Sequence, residues 1–161
     1  MAEPPVVNAS PLIYLTRCEL LHFLRMEGEV ILVPAVVAGE LQRRGPSDPA
    51  ARMIANTSWL NVVATPPVPE SVQSWDLGPG ESAVLSWALA HPGTLAILDD
   101  LAARRCAEAH AVPCRGTLGL VLAAKRKGRI PQARPVLVAL RLAGMYLSDS
   151  VMNRALALVG E

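Results

Sequence analysis

The segment from Leu95 to Leu98 is an apolar run that stops on two adjacent carboxylates, Asp99 and Asp100. Such a run is typical of a buried strand, and open α/β folds bind their ligands where strands of this kind end. Two carboxylates about 5 Å apart repel each other by roughly 3 kcal/mol at an effective dielectric constant of about 20. The pattern therefore predicts a strand end that gathers further ligands around a cation.

Short apolar runs alternate with helical patterns along the whole chain. The predicted strands are Val6–Val7, Val30–Val33, Trp59–Val63, Leu95–Leu98 and Val112–Arg115. The predicted helices start at Ser10 (as N-cap) and at Pro34, and then cover Ala50–Ala55, Glu81–Ala90, Leu101–His110, Thr117–Lys127, Gln132–Ala143 and Asp149–Val159 (with Ser148 as N-cap). The proline-rich stretch from Ala64 to Gly80 is predicted to be a loop. This alternation predicts an α/β fold with a central parallel sheet of four to five strands, in one domain over residues 1–161.

Composition excludes several classes of protein. Of the 161 residues, 52% are hydrophobic and 18% charged, which is typical of a globular core rather than a disordered chain. No apolar stretch is long enough for a membrane span, and the first residues do not resemble a secretory signal. The scattered Cys18, Cys106 and Cys114 predict reduced thiols in a cytoplasmic protein, and their spacing around His110 does not fit zinc.

The net charge of +1 hides a basic segment between Leu101 and Arg134, in which Glu108 is the only acid. Concentrated positive charge near an acidic site suits a polyanionic substrate, and ordinary solvated helix faces are the alternative. The basic residues are Arg104, Arg105, Arg115, Lys125, Arg126, Lys127, Arg129 and Arg134.

Several oxygen-bearing side chains fall at equivalent places in the predicted fold. Asn8 ends the first strand, Glu40 lies on the helix after the second strand, and Glu81 begins the helix before the fourth strand, which ends at Asp99 and Asp100. The carboxyl ends of neighbouring parallel strands meet at one edge, so these groups are expected to converge there. Such ligands suit Mg²⁺ or Mn²⁺, which can promote hydrolysis of a phosphodiester.

Five stretches of the chain, in this order, resemble PIN-like domain proteins of the prokaryotic group related to the VapC toxin ribonucleases. They are 6–13 (VVNASPLI), 33–41 (VPAVVAGEL), 77–83 (LGPGESA), 98–104 (LDDLAAR) and 116–128 (GTLGLVLAAKRKG).

The resemblance implies a three-layer α/β/α sandwich and metal-dependent cleavage of RNA. It also implies a common setting as the toxin of a toxin–antitoxin pair, often as a homodimer that binds an antitoxin protein. By position, Glu40, Glu81 and Asp99 or Asp100 match the acidic metal cluster, which Asn8 would complete. Three further matching residues are assigned to substrate binding: Ser10, Arg104 and Thr117.

Two departures from the family pattern bear on activity. Asn8 stands where active PIN nucleases have aspartate; its carbonyl oxygen can still bind a metal, but it brings no charge and cannot act as a base. Ile97 or Leu98 stands where a hydroxyl residue often precedes the acid of the fourth strand. Simpler roles also exist: Glu40 as a solvated residue, Glu81 stabilising a helix N-terminus, and Asp100 as an N-cap, which favours Asp99 as the inner ligand.

The leading hypothesis is therefore a Mg²⁺- or Mn²⁺-dependent endoribonuclease. The alternative is a catalytically impaired PIN-like module that binds RNA or a protein. A phosphatase or phosphoacceptor fold is disfavoured, because those folds need an aspartate after the first strand, where this chain has Asn8.

Overall fold

The computed structural model describes residues 2–161 and contains a five-stranded sheet in the order β3-β2-β1-β4-β5, with every pairing parallel. The strands are β1 (Val6–Val7), β2 (Ile31–Pro34), β3 (Leu60–Val63), β4 (Ala96–Ile97) and β5 (Cys114–Arg115). This arrangement, flanked by helices, confirms the predicted α/β class and its parallel sheet.

Helices follow or precede each strand as expected for parallel crossovers. They are α1 (Ala9–Arg17), a 3₁₀ helix (Leu21–Met26), α2 (Ala35–Gln42), α3 (Pro49–Asn56), α4 (Glu70–Gln73), α5 (Pro79–Ala90), α6 (Leu101–Ala109), α7 (Thr117–Arg126), α8 (Arg134–Leu142) and α9 (Asp149–Leu158). Within residues 2–161, no helix is long and apolar enough to cross a membrane.

The central strands β1, β2 and β4 are buried on both faces. The side chains of β1 and β4 are fully buried, and α5 packs against β1, β2 and β4 in the centre of the sheet. Strands that are buried on both sides read as continuous apolar runs rather than as an alternation, which is the pattern that the sequence displays.

Several predicted boundaries are wrong, and each shift has a local cause. Ser10 is not an N-cap: α1 begins at Ala9 after Asn8, and Pro11 is tolerated in the first turn, where its missing N–H has no partner. Pro34 ends β2 and precedes α2 instead of opening that helix. The predicted loop over residues 64–80 contains α4 and the start of α5. Ser148 is confirmed as an N-cap, and its Oγ accepts a hydrogen bond from the Val151 N–H at 3.1 Å.

Glu161 caps the start of α8 from a distant part of the chain. Its carboxylate accepts hydrogen bonds from the N–H groups of Ala133 (2.6 Å) and Arg134 (3.1 Å), and Lys125 Nζ lies 3.5 Å away. No side chain within α8 caps these N–H groups. The Ala133 hydrogen bond, more than any other contact, holds the pKa of Glu161 below its ordinary value of 4.5.

A lowered pKa makes this carboxylate a source of stability that depends on pH. The contribution is fully present above pH 4.5 and is lost as the pH falls through the lower pKa of the folded state. We expect Glu161→Ala to lower the melting temperature at pH 7, and the difference from the wild type to shrink below pH 4.5. Thermal unfolding across this pH range measures it, with Glu29→Ala as an exposed control. A difference independent of pH would contradict the assignment.

Candidate active site

The carboxyl edge of the sheet brings three strand ends together. The register pairs Val7 with Ile97 and Ile97 with Arg115, so the residues after β1, β4 and β5 lie side by side. The Asn8 N–H donates to the Ile97 carbonyl at 3.1 Å, which fixes the first of these ends against the second. The side chains of residues 8, 99 and 117 therefore start from neighbouring points on one edge.

The carboxamide of Asn8 is buried, with 3% of the residue exposed. Only one of its two polar atoms forms a hydrogen bond. Its Nδ2 donates to Glu81 Oε1 at 3.2 Å. Its Oδ1 accepts no hydrogen bond from any group in residues 2–161. A buried acceptor without a donor costs about 1–3 kcal/mol, so this oxygen marks a position where a positively charged or donor group is needed.

The Oδ1 of Asn8 and the carboxylate of Glu40 both lie close to Gly80. A Cβ atom at Gly80 would lie 2.6 Å from Asn8 Oδ1 and 3.0 and 3.3 Å from the two carboxylate oxygens of Glu40. The Gly80 N–H also donates to the Glu40 carboxylate. Only glycine leaves room for both side chains at this position, in the first turn of α5.

Glu40 and Glu81 oppose each other electrostatically across this point. Burial raises the pKa of Glu40 above its ordinary value of 4.5, and the nearby charge of Glu81 raises it further. Arg43 and the Gly80 N–H act in the opposite direction. Glu81 sits in the first turn of α5, where the helix dipole favours a negative charge. Its Oε2 folds back over Gly78, 2.5 Å from where a Cβ would be.

These groups fit a hard divalent cation. Two carboxylates and an unpaired carboxamide oxygen are the ligand types that Mg²⁺ and Mn²⁺ prefer, and a cation there would satisfy Asn8 Oδ1 while offsetting the Glu40–Glu81 repulsion. No group of three His, Cys, Asp or Glu side chains within residues 2–161 could hold a metal by itself. A cation held here would need the carboxamide oxygen of Asn8 as well as the two carboxylates, with water and substrate oxygens as further ligands.

Asp99 lies in a separate hydrogen-bonded group on the same edge. Its Oδ1 accepts from the Thr117 N–H at 2.7 Å, and its Oδ2 accepts from Thr117 Oγ1 at 2.8 Å and Ser10 Oγ at 3.1 Å. The three donors come from the first turns of α1 and α7. They hold the carboxylate in one orientation.

Asp100 has a different role from its neighbour. Its Oδ2 accepts from the Ala103 N–H at 2.9 Å, which is the N-cap geometry of α6. The capping alternative raised by the sequence is therefore what the structure contains. The five groups expected to converge therefore fall into three sets. Asn8, Glu40 and Glu81 lie around Gly80. Asp99 lies with its hydroxyl partners, and Asp100 lies at the start of α6.

Arg104 brings positive charge to the Asp99 group. A Cβ at Gly116 would lie 3.1 Å from Asp99 Oδ1 and 3.3 Å from Arg104 Nη1, so the two side chains approach the same point. Across residues 2–161, no carboxylate oxygen lies within 4.0 Å of the Arg104 guanidinium. Its charge remains available to an anion at this edge.

Gly80 and Gly116 are two residues of this edge that were not predicted from the sequence. Both contribute by having no side chain, and the signal that could have revealed them is a glycine directly beside an acid in Gly80–Glu81 and beside a hydroxyl in Gly116–Thr117. Close approach of the backbone to a ligand is one of the standard reasons for glycine.

Comparison with known proteins gives a family that covers almost the entire chain. The sequence model of the family DUF3368, which is described as a PIN domain, matches residues 4–161. No curated protein matches the chain significantly. PIN domains have a nuclease-type fold and generally use divalent metals, in agreement with the ligand types around Gly80. The extent of the match and the parallel five-stranded sheet lead to one conclusion: the chain belongs to the PIN-domain family.

Proposed function

We propose that this protein is a Mg²⁺- or Mn²⁺-dependent endoribonuclease. The orphaned Oδ1 of Asn8, buried beside the carboxylates of Glu40 and Glu81, is the observation that carries the proposal. A bound cation removes the cost of burying that oxygen and the cost of placing two negative charges together. A polyanionic substrate is supported by Arg104, whose guanidinium lies beside the same point as Asp99 at this edge.

Asn8, Glu40 and Glu81 hold the metal in this proposal, and Asp99 adds a fixed negative charge from the neighbouring strand end. The metal, when bound, activates water and offsets charge on the phosphodiester. Ser10 and Thr117 orient Asp99 through their hydroxyl groups, and Arg104 binds a phosphate of the RNA. Asp100, assigned to metal binding and catalysis from the sequence, acts here as the cap of α6, so Asp99 is the inner carboxylate.

The first test removes the negative charge from both groups while keeping side-chain size. We expect the double variant Glu40→Gln/Asp99→Asn to cleave single-stranded RNA with Mn²⁺ at least about 100-fold more slowly than the wild type, since about 2.7 kcal/mol of transition-state stabilisation would be lost. Glu29→Gln, an exposed carboxylate away from the site, is the control. Equal rates for the double variant and the wild type would refute the assignment.

A second test uses two glycines in helices. At about 100 times its dissociation constant, Mn²⁺ stabilises a folded protein by about 2.7 kcal/mol, which raises the melting temperature of a chain of this size by about 5–10 °C. We expect Gly80→Ala to lose this rise, because the new Cβ would displace Asn8 Oδ1 and Glu40.

Gly39→Ala is the matched control, since a Cβ at Gly39 meets nothing within 4 Å. It should keep the full Mn²⁺-dependent rise. The same rise in both variants would show that the metal does not bind at Gly80.

The second candidate function is a PIN-like module that binds RNA or a protein without cleaving RNA. It is favoured by one observation: the group that donates a hydrogen bond to Glu81 is the uncharged amide of Asn8, so the set around Gly80 carries only two carboxylates. This candidate predicts RNA binding without turnover and little effect of Mn²⁺ on the melting temperature.

Asn8→Asp separates the two candidates. Without metal, we expect the variant to be less stable by about 1–3 kcal/mol, because the amide donor to Glu81 is lost and a third carboxylate is buried there. With Mn²⁺, the added charge should enlarge the rise in melting temperature and the rate of RNA cleavage.

Asn153→Asp makes the same chemical change on an exposed helix surface and is the control. An Asn8→Asp variant that gains neither metal binding nor cleavage would favour the binding module.

The biological setting stays a prediction. The relation to VapC toxins, an antitoxin partner and a homodimer are implied by the resemblance, whereas a single domain and a cytoplasmic location are predicted from the length, organisation and cysteines of the sequence. An adjacent reading frame for a small protein with a DNA-binding pattern would support the toxin role.

A further inference from the structure

A groove lies along one side of α6, next to the candidate active site. We call it the α6 groove; its volume is about 490 Å³, within the range of small-molecule sites. It is lined by Leu101, Arg104, Arg105, Glu108, Val112 and Cys114.

Four of these residues form one face of the helix. Positions 101, 104, 105 and 108 follow the spacing i, i+3, i+4 and i+7, which places their side chains in one stripe along α6. Val112 and Cys114 form the opposite wall, at the end of the sheet where β5 is the edge strand. The side chains of this stripe are exposed to solvent. Leu101 is an apolar member of the stripe, and 61% of this residue is exposed.

The α6 groove is continuous with the catalytic edge. Arg104 lines the groove and also reaches the point beside Asp99 described above. Leu101 follows the N-cap Asp100, so one end of the groove begins where β4 ends. An RNA strand whose phosphate is bound by Arg104 would therefore have its neighbouring nucleotide over this groove.

Two charged side chains of the groove have no intramolecular partner among the described residues. Within the described chain, neither Arg105 nor Glu108 has an oppositely charged group within 4.0 Å, and neither side chain forms a hydrogen bond. They are one helical turn apart and present a fork of N–H donors beside a pair of carboxylate acceptors. Burial raises the pKa of the Cys114 thiol above its ordinary value, so the wall facing them is uncharged at neutral pH.

We infer that the α6 groove binds a guanine base of the RNA, in the nucleotide next to the phosphate that is cleaved. Guanine has two adjacent donors on its Watson–Crick edge, N1–H and the N2 amino group, and a carboxylate such as Glu108 accepts from both. Its O6 is the acceptor that an arginine such as Arg105 binds. Adenine places an acceptor at N1 against the carboxylate, and uracil offers a single N–H donor. Bases of unpaired RNA are accessible for this kind of recognition.

This inference concerns the substrate of the proposed nuclease and rests on that function for its place next to a cleaved phosphate. Base recognition itself needs neither metal nor cleavage. The two ideas can therefore fail separately, provided that nucleotide binding is measured without divalent ions.

The test is calorimetric titration with the four nucleoside 5′-monophosphates in EDTA. We expect the wild type to bind GMP about tenfold or more tightly than AMP, CMP or UMP. Glu108→Gln, which keeps size and exposure but cannot accept both donors, should reduce this preference to about threefold or less. Glu29→Gln should keep it. Equal binding of all four nucleotides, no binding of GMP, or an unchanged preference in Glu108→Gln would overturn the inference.

Mapping of cut sites on a single-stranded RNA of mixed sequence is the second measurement, for the case in which the protein cleaves RNA. Wild-type cuts should lie beside guanine, and Glu108→Gln should cut with less selection among bases. Cuts beside another base would contradict the guanine assignment, whatever the titration shows.

Discussion

Mutual repulsion between two half-buried carboxylates is the constraint around which this edge of the sheet is built. Glu40 and Glu81 come from different helices and meet beside Asn8, and the Gly80 N–H and the Asn8 amide each donate to one of them. Those donors are weak compensation for two negative charges in a partly buried place. The raised pKa of Glu40 is the physical expression of that imbalance, and the orphaned Oδ1 of Asn8 adds to it. A cation bound there, as proposed, would offset the repulsion and satisfy the Asn8 oxygen together.

The adjacent acids at the end of β4 show how one strand end serves two purposes. Beyond β4, Asp99 turns toward Ser10 and Thr117, whereas Asp100 turns toward the first turn of α6. The repulsion expected from their spacing in sequence is offset because each carboxylate has its own set of donors. The cap fixes the start of α6, and with it the position of Arg104.

The sequence predicted the parallel sheet because apolar runs that end on polar residues recur with helices between them. It also predicted that Asn8, Glu40 and Glu81 lie near one another, since strand ends and neighbouring helix turns share an edge. For the two adjacent acids, it favoured Asp99 as the inner ligand only because aspartate is a common N-cap residue, a role that Asp100 fills. The sequence also did not predict the hydrogen bond from Ser10 to Asp99. A Ser-Pro pair is typical of an N-cap, but α1 begins one residue earlier, directly after Asn8. Contacts around Gly80 depend on distances that no local pattern encodes.

The three hydrogen bonds on Asp99 also tie together the ends of β4, α1 and α7, two of which follow strands of only two residues. Strands this short form few backbone hydrogen bonds with their neighbours. The carboxylate therefore stabilises the sheet by linking these elements, in addition to supplying a charge. Selection for folding alone would therefore retain an acid at this position in a protein that had lost its chemistry. In comparing relatives, an aspartate at position 99 is a poor marker of catalysis, whereas the residues at positions 8 and 80 are informative ones.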